Sequence, residues 1–265
     1  MKNQSENKVY TLAEVLGKHT IAELKQMTQV LEVKVLSKAK KQEIIDALSA
    51  KLLDKELLTA WLLAAGKQEI EELELAMAED VVIAEESGRF YYWRNLPVVF
   101  VTGDGVVVVP SETAAVYNEI KSDSEYAAKR ARIDVMDEYL MSCVNLYRAI
   151  DITTFLSILN GQTGMNAKRP ELESWLKDRE AVRGQQMYFF EGGYILSEEY
   201  RTKKEGEVVD YHQLLERQGA MSYYIPAKSE LLRYADPYYV EKTPSYAAFC
   251  RSFRLVLAVR KTRQQ

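Results

Sequence analysis

The sequence predicts a mainly helical α+β protein, with a small helical module at its N-terminus and α+β units behind it. Three observations carry this expectation. Apolar residues between Ile21 and Leu52 recur near the 3.6-residue helical period in two separate stretches. Two β-branched runs, Val98 to Val101 and Val106 to Val109, flank Thr102-Gly103-Asp104-Gly105, a strong hairpin signal. From Glu125 onward, apolar-periodic segments read as three helices followed by a second hairpin.

Taken in order, the first helix opens at Thr20. Glu23 lies three residues later, the spacing of a capping box. Ile21, Leu24, Met27, Thr28 and Leu31 share one face of it. An extended linker follows. Ser37 is the expected N-cap of the second helix, which would place Lys38, Lys40 and Lys41 in its first turn and Ile44, Ile45, Leu48 and Leu52 on its apolar face. Cations at a helix N-terminus oppose the macrodipole, by ~0.3–1 kcal/mol each. An anion at that position would account for the placement, and backbone N–H groups at a helix start already favour phosphate. The candidate binding residues are therefore Lys34, Ser37, Lys38, Lys40 and Lys41.

The residues Glu23-Leu24-Lys25, Leu31-Glu32-Val33 and Ser37-Lys38-Ala39-Lys40-Lys41-Gln42-Glu43-Ile44-Ile45-Asp46-Ala47-Leu48 resemble the N-terminal domain of transcription termination factor Rho, a SAP-like helix–extended–helix fold. That family has a glycine just after the first helix, where this chain has Lys34. The resemblance implies association with nucleic acid, DNA or RNA, without sequence specificity. It covers about an eighth of the chain, and nothing in the sequence looks like Rho's ATPase core or its separate oligonucleotide-binding barrel. The same residues also suit a small helical cap with a solvated charged surface.

Beyond the module, Lys55 to Ala65 and Lys67 to Met77 read as helices broken at Gly66. β signals follow at Val81 to Ala84 and Arg89 to Trp93, then the first hairpin. Pro110 ends its second strand, and Ser111 caps a helix through Ile120. Lys121 to Ser124 reads as a linker. A long helix spans about Glu125 to Ala149, with Ile133, Met136, Tyr139, Leu140, Cys143 and Tyr147 on one side. Asp151 caps a helix from Ile152 to Leu159, Asn160 to Gly164 is a loop, and Pro170 to Ala181 is a third helix. Met187 to Phe190 and Tyr194 to Leu196 flank Glu191-Gly192-Gly193 as a hairpin. Helix, helix, helix and hairpin is the order of a winged helix-turn-helix, so the units behind the SAP-like module are expected to be winged-helix-like. Lys203 to Glu207 is a charged connector. Short helices at Tyr211 to Gln218 and Ser229 to Tyr234 precede a final helix, Tyr246 to Val259, and a basic tail. The expected divisions are residues 10–53, 54–121, 125–202 and 208–265.

Val106 to Tyr117 and Ser222 to Tyr234 echo each other as strand, proline and helix, either as related units or as ordinary junctions of this kind. The tandem arrangement also looks like uncharacterised proteins of Gram-positive bacteria and their mobile elements, through the Asn145-Leu146-Tyr147 helix end and the proline-led helices. That likeness supplies context and no mechanism.

The third helix of the winged-helix candidate carries or adjoins Arg169, Lys177, Arg179 and Arg183 but also Glu171, Glu173, Asp178 and Glu180. A helix that reads DNA presents a net positive face. This balanced one suits protein docking better. The 17 tyrosines suit cores and protein interfaces, since basic residues are not interleaved with the Tyr91-Tyr92-Trp93, Tyr223-Tyr224 and Tyr238-Tyr239 clusters. In strands, one of each adjacent pair would point inward and one outward.

Catalytic chemistry has few candidates. His19 and His212 are the only histidines, and neither has a serine or cysteine at a motif spacing. Gly66-Lys67 lacks the upstream glycine of a phosphate loop, and Gly161-Gln162-Thr163-Gly164 lacks basic residues between its glycines. Cys143 and Cys250 read as buried free thiols and offer no zinc spacing. A non-enzymatic protein without cofactor or metal is expected. The net charge of −4 confines nucleic-acid binding to local basic patches. No apolar run spans a bilayer and MKNQSENK carries no signal-peptide core, so the expected location is cytoplasmic. The expected function is phosphate-backbone binding linked to transcription termination or regulation. The alternative is a protein–protein adaptor with winged-helix docking surfaces.

Overall fold

A computed structural model describes residues 9–84, 87–183, 188–200, 211–219, 221–246 and 248–249. The chain is mainly helical α+β, with two small antiparallel sheets. It opens with a helix that the sequence reading missed, α1 (Leu12–Gly17). Its start repeats the signal recognised at Thr20: Thr11 accepts from the Glu14 N–H, and the Glu14 carboxylate accepts from the Thr11 N–H. Helix α2 (Ile21–Val30) has the expected Thr20–Glu23 box. Leu24, Thr28 and Leu31 are buried and Met27 partly so, while Ile21 stays exposed.

Helix α3 (Lys41–Leu52) buries Ile44, Ile45, Leu48 and Leu52, as the periodicity predicts. Its start differs from expectation. The N-cap is Lys40, not Ser37. Residues 36–39 form a turn instead, with the Ala39 N–H donating to the Leu36 carbonyl at 3.0 Å. Glu43 decides the boundary. Its carboxylate accepts from the Lys40 N–H at 2.7 Å, the acidic half of a capping box, and so sets the helix start three residues upstream. Lys38 and Lys40 therefore precede the helix, and only Lys41 lies in its first turn.

The turn after α2 also differs. Val33 N–H donates to Thr28 C=O at 2.8 Å and Glu32 N–H to Gln29 C=O at 3.3 Å, the two bonds of a Schellman motif. The left-handed residue it requires is Glu32, with φ 54°, and not Lys34.

Helices α4 (Lys55–Ala64) and α5 (Lys67–Ala78) break at Gly66 as expected. Strand β1 (Val81–Val82) is followed by helix α6 (Tyr91–Asn95), where the sequence suggested a strand. Phe90 turns left-handed at φ 59°, and its N–H is held by the Glu72 carboxylate at 3.0 Å. The turn carries Tyr92 and Trp93 onto α4 and α5. There the Tyr92 O–H donates to Trp61 C=O, and Trp93 Nε1–H donates to Glu69 C=O. Tertiary hydrogen bonds to buried aromatics thus override local β preference. The hairpin β2 (Phe100–Val101) and β3 (Val106–Val108) forms as predicted, and the sheet order is β1-β3-β2. Pro110 occupies the cap of α7 (Ser111–Lys121), one residue before the expected Ser111.

The expected linker shrinks to Ser122 and Asp123, because the Asp123 carboxylate caps α8 (Ser124–Tyr147). Arg148, at φ 64°, ends α8, and strand β4 (Ala149–Asp151) follows where the sequence suggested the helix running to about Ala149 and then the Asp151 cap. Helix α9 (Ile152–Thr163) is capped by Asp151 as expected, but it continues through Asn160 to Thr163 and stops at Gly164, φ 70°. Helix α10 (Arg169–Arg183) leads to the predicted hairpin, β5 (Tyr188–Glu191) and β6 (Tyr194–Ser197). Gly192 and Gly193 both take positive φ in the two-residue turn between them. The second sheet has order β4-β6-β5. Both sheets thus follow one plan, with the hairpin's second strand in the middle.

Helices α11 (Tyr211–Gln218) and α12 (Lys228–Leu231) fall where expected, the latter running into a 3₁₀ turn, Leu232–Ala235. Ser222 to Ile225 is not a strand, so the echo with Val106 to Tyr117 is limited to a buried proline leading a helix. The connector Lys203 to Glu207, Cys250, and most of the final helix and its basic tail lie outside the described residues.

Two apolar cores organise the chain. The first runs from Leu12 to Tyr126, so α1–α3 share one interior with the first sheet. The second runs from Ile133 to Leu231 around α8, α9, α10 and the second sheet. An ion pair from Arg183 on α10 to Glu69 on α5, at 2.6 Å, ties the two together.

Candidate nucleic-acid interface

The five candidate residues fall between the end of α2 and the start of α3. Lys34, Ser37, Lys38 and Lys40 are exposed, and Lys41 is half-buried. Their roles separate. Lys41 Nζ donates to the Gly17 carbonyl at 2.6 Å, where the partly negative C-terminal end of α1 favours a cation. Lys41 thereby fastens α3 to α1. Ser37 contributes its carbonyl, which accepts from Lys25 Nζ at 3.0 Å and pins the turn to α2. Lys34, Lys38 and Lys40 have no ion pair and no side-chain hydrogen bond among the described residues. The N-cap residue of α3, Lys40, makes no side-chain hydrogen bond to the first N–H groups of that helix.

Charge is unevenly distributed along the chain. Residues 1–53 hold nine lysines and six carboxylates, a net of +3, and residues 54–265 carry the remaining −7. Between Glu32 and Glu43 there are four lysines and no carboxylate. At 0.1 M salt, interactions between exposed charges more than about 10 Å apart are largely screened, so a local patch of this kind acts independently of distant acidic surface.

Helix α10 is arranged differently. Arg179 is buried against Asp137, Arg183 pairs with Glu69, and Arg169 pairs with Glu173. Glu171 is matched by Arg132 from α8. Of its four cations only Lys177 stands exposed with no ion pair among the described residues. Arg179, Arg183 and Glu171 thus dock α10 on α8 and α5, while Arg169 and Glu173 pair within the helix. The Glu69 carboxyl is affected by burial, which raises its pKa, but the Arg183 guanidinium and the Gly66 N–H outweigh this and hold it below its ordinary value.

The remaining candidate chemistry is dispersed. His19 lies 3.8 Å from Glu23 and near the Phe100 ring, while His212 stacks on Tyr211. Burial pushes the Cys143 thiol up to about 12. Among the described residues, no three His, Cys, Asp or Glu side chains converge as metal ligands, and no helix is long and apolar enough to cross a membrane. A groove of about 610 Å³ between α4, α8 and α10 is mostly apolar, with Trp175 and Ile133 on its walls. The aromatic pairs divide as expected: Tyr91 is exposed and Tyr92 buried, and Tyr224 and Tyr238 are exposed beside half-buried Tyr223 and Tyr239. A helix and irregular chain accomplish this, however, not strands.

One exposed neighbour of these lysines was not singled out in the sequence. Leu36, in the middle of the lysine cluster, is 80% exposed and is the one exposed leucine among the described residues. Its signal was present as an apolar residue outside both helical periods.

Compared with known proteins, the chain matches no family model, no curated protein and no solved structure.

Proposed function

We propose that this is a nucleic-acid-associated protein whose N-terminal, SAP-like helices contact a phosphate backbone without sequence specificity. The supporting observation is that Lys34, Lys38 and Lys40 are exposed on one connection, with no carboxylate partner among the described residues. Lys41 and Ser37 shape that connection through the carbonyl contacts at Gly17 and from Lys25. Three lysines on three phosphates would give a slope of log K against log salt of about −2 to −3. Transcription termination or regulation is the process suggested by the resemblance to Rho.

Fluorescence anisotropy of the full chain with labelled oligonucleotides, titrated across salt concentrations, tests the reading. The Lys34→Ala/Lys38→Ala/Lys40→Ala variant is expected to lose most of the slope. Unchanged affinity and slope in that variant would remove the site.

The body is read as a docking platform. Helix, strand, two helices and a hairpin in the order α8-β4-α9-α10-β5-β6, with sheet order β4-β6-β5, suit a winged-helix-like unit. Pairing of Arg169, Arg179 and Arg183 within the chain favours a protein partner over DNA for that unit. Exposure of Met221, Tyr224, Ile225 and Tyr238 beside it favours the same reading.

A further inference from the structure

Residues 33–36 alternate along the linker: Val33 and Val35 are half-buried, Lys34 and Leu36 exposed. Val33 and Ala39 pack against the first core on either side of the exposed stretch. The linker is therefore held inward at both ends and presents Lys34 and Leu36 on its outer face. Leu36 also begins the turn closed by the Ala39 N–H, and the next carbonyl, of Ser37, is gripped by Lys25. Its backbone is thus fixed from two directions while its side chain is 80% exposed, flanked by Lys34 and Lys38.

From this geometry we infer that the site takes single-stranded nucleic acid, with Leu36 lying against an unstacked base or sugar while the flanking lysines hold the phosphates. The inference rests on the phosphate-binding reading above and adds the form of the ligand. Lysines alone do not distinguish duplex from single strand, since both present phosphate. An apolar side chain does. In a duplex the base faces are stacked, and an inserted wedge must repay unstacking through an extensive bent interface. One leucine on a four-residue turn has no such surface around it. In a single strand the base faces are already available, and apolar contact is gained without that cost. A fixed turn adds to the gain, because little side-chain or loop freedom remains to be lost on binding.

The test compares the full chain and Leu36→Ala, each titrated with a labelled single-stranded oligonucleotide and with its duplex. Wild type is expected to prefer the single strand. Leu36→Ala should lose ~3–10-fold of single-strand affinity, from the apolar area no longer buried, with an unchanged salt slope and less than about a twofold effect on the duplex. Leu36→Phe should retain or improve single-strand binding. Circular dichroism of both variants should match wild type, because the side chain is 80% exposed and belongs to neither core. Unchanged single-strand affinity in Leu36→Ala, or equal losses on both ligands, overturns the inference. The lysine variant distinguishes the two levels. If it loses the salt slope while Leu36→Ala is silent, the phosphate site stands and this assignment alone fails. If it too is silent, the underlying reading fails.

Discussion

Glu32→Gly should stabilise the protein, against the usual expectation for introducing glycine. Glu32 sits at the left-handed position of the Schellman motif that ends α2, with φ 54°. A side chain with a Cβ in that conformation costs ~1–2 kcal/mol relative to a right-handed one, and glycine escapes it. Glycine also gives the unfolded chain more freedom, which takes back ~0.5–1 kcal/mol. The net gain is ~0.5–1 kcal/mol. A chain of 265 residues unfolds with an entropy of roughly 0.55 kcal/mol per kelvin, so Tm should rise by about 1–2 °C. Urea unfolding followed by tryptophan fluorescence is the direct assay, because Trp61 and Trp93 lie in the core that α2 joins. Glu32→Ala is the control: it removes the charge and keeps the left-handed cost. The motif's two hydrogen bonds, from Val33 to Thr28 and from Glu32 to Gln29, should survive in both variants. If Glu32→Gly is no more stable than Glu32→Ala, the strain assigned to this position is absent.

Other consequences follow from the packing. Gly105→Ala should destabilise by ~1–3 kcal/mol in the same unfolding assay, since φ is +82° and a Cβ would lie 2.7 Å from the Ile83 carbonyl oxygen. The lowered pKa of Glu69 makes stability pH-dependent. Its contribution is complete above the ordinary carboxylate value, near 4.5, and is lost as pH falls through the depressed folded value. Glu69→Gln should flatten the acid limb of a stability–pH profile, and a limb as steep as wild type's would count against the Arg183 pair as its cause. In a Cys250→Ser background, Cys143 should react with a thiol reagent only as fast as the protein unfolds, because burial holds its thiol near 12. Rapid labelling of the folded protein would contradict that burial.

The legibility of this chain in its sequence varied with the range of the forces involved. Capping boxes, helical periodicity and Gly-rich hairpin turns depend on residues a few positions apart, and most helices and both hairpins were readable from them. Where a distant partner intervened, local reading failed. Arg89 to Trp93 has strand-like composition, yet Glu72, Trp61 and Glu69 draw its backbone and rings into α6. The start of α3 was misplaced because Ser37 outranks Lys40 as a cap by type, whereas Glu43 selects Lys40 by distance. Helix α1 carries an equally local signal, the Thr11–Glu14 capping box.

The lysine cluster shows the same division at the level of the candidate site. Its composition, four cations without a carboxylate from residue 34 to residue 41, is a property of the chain order alone. Which of those cations face solvent follows from the folded arrangement. Lys41 is drawn to the end of α1, which only packing brings near it, and Lys34, Lys38 and Lys40 are left outward. Charge and periodicity are carried by neighbours along the backbone and can be read there. Pairing and exposure depend on groups far apart in sequence, and these meet only when the first core closes around α1, α2 and α3.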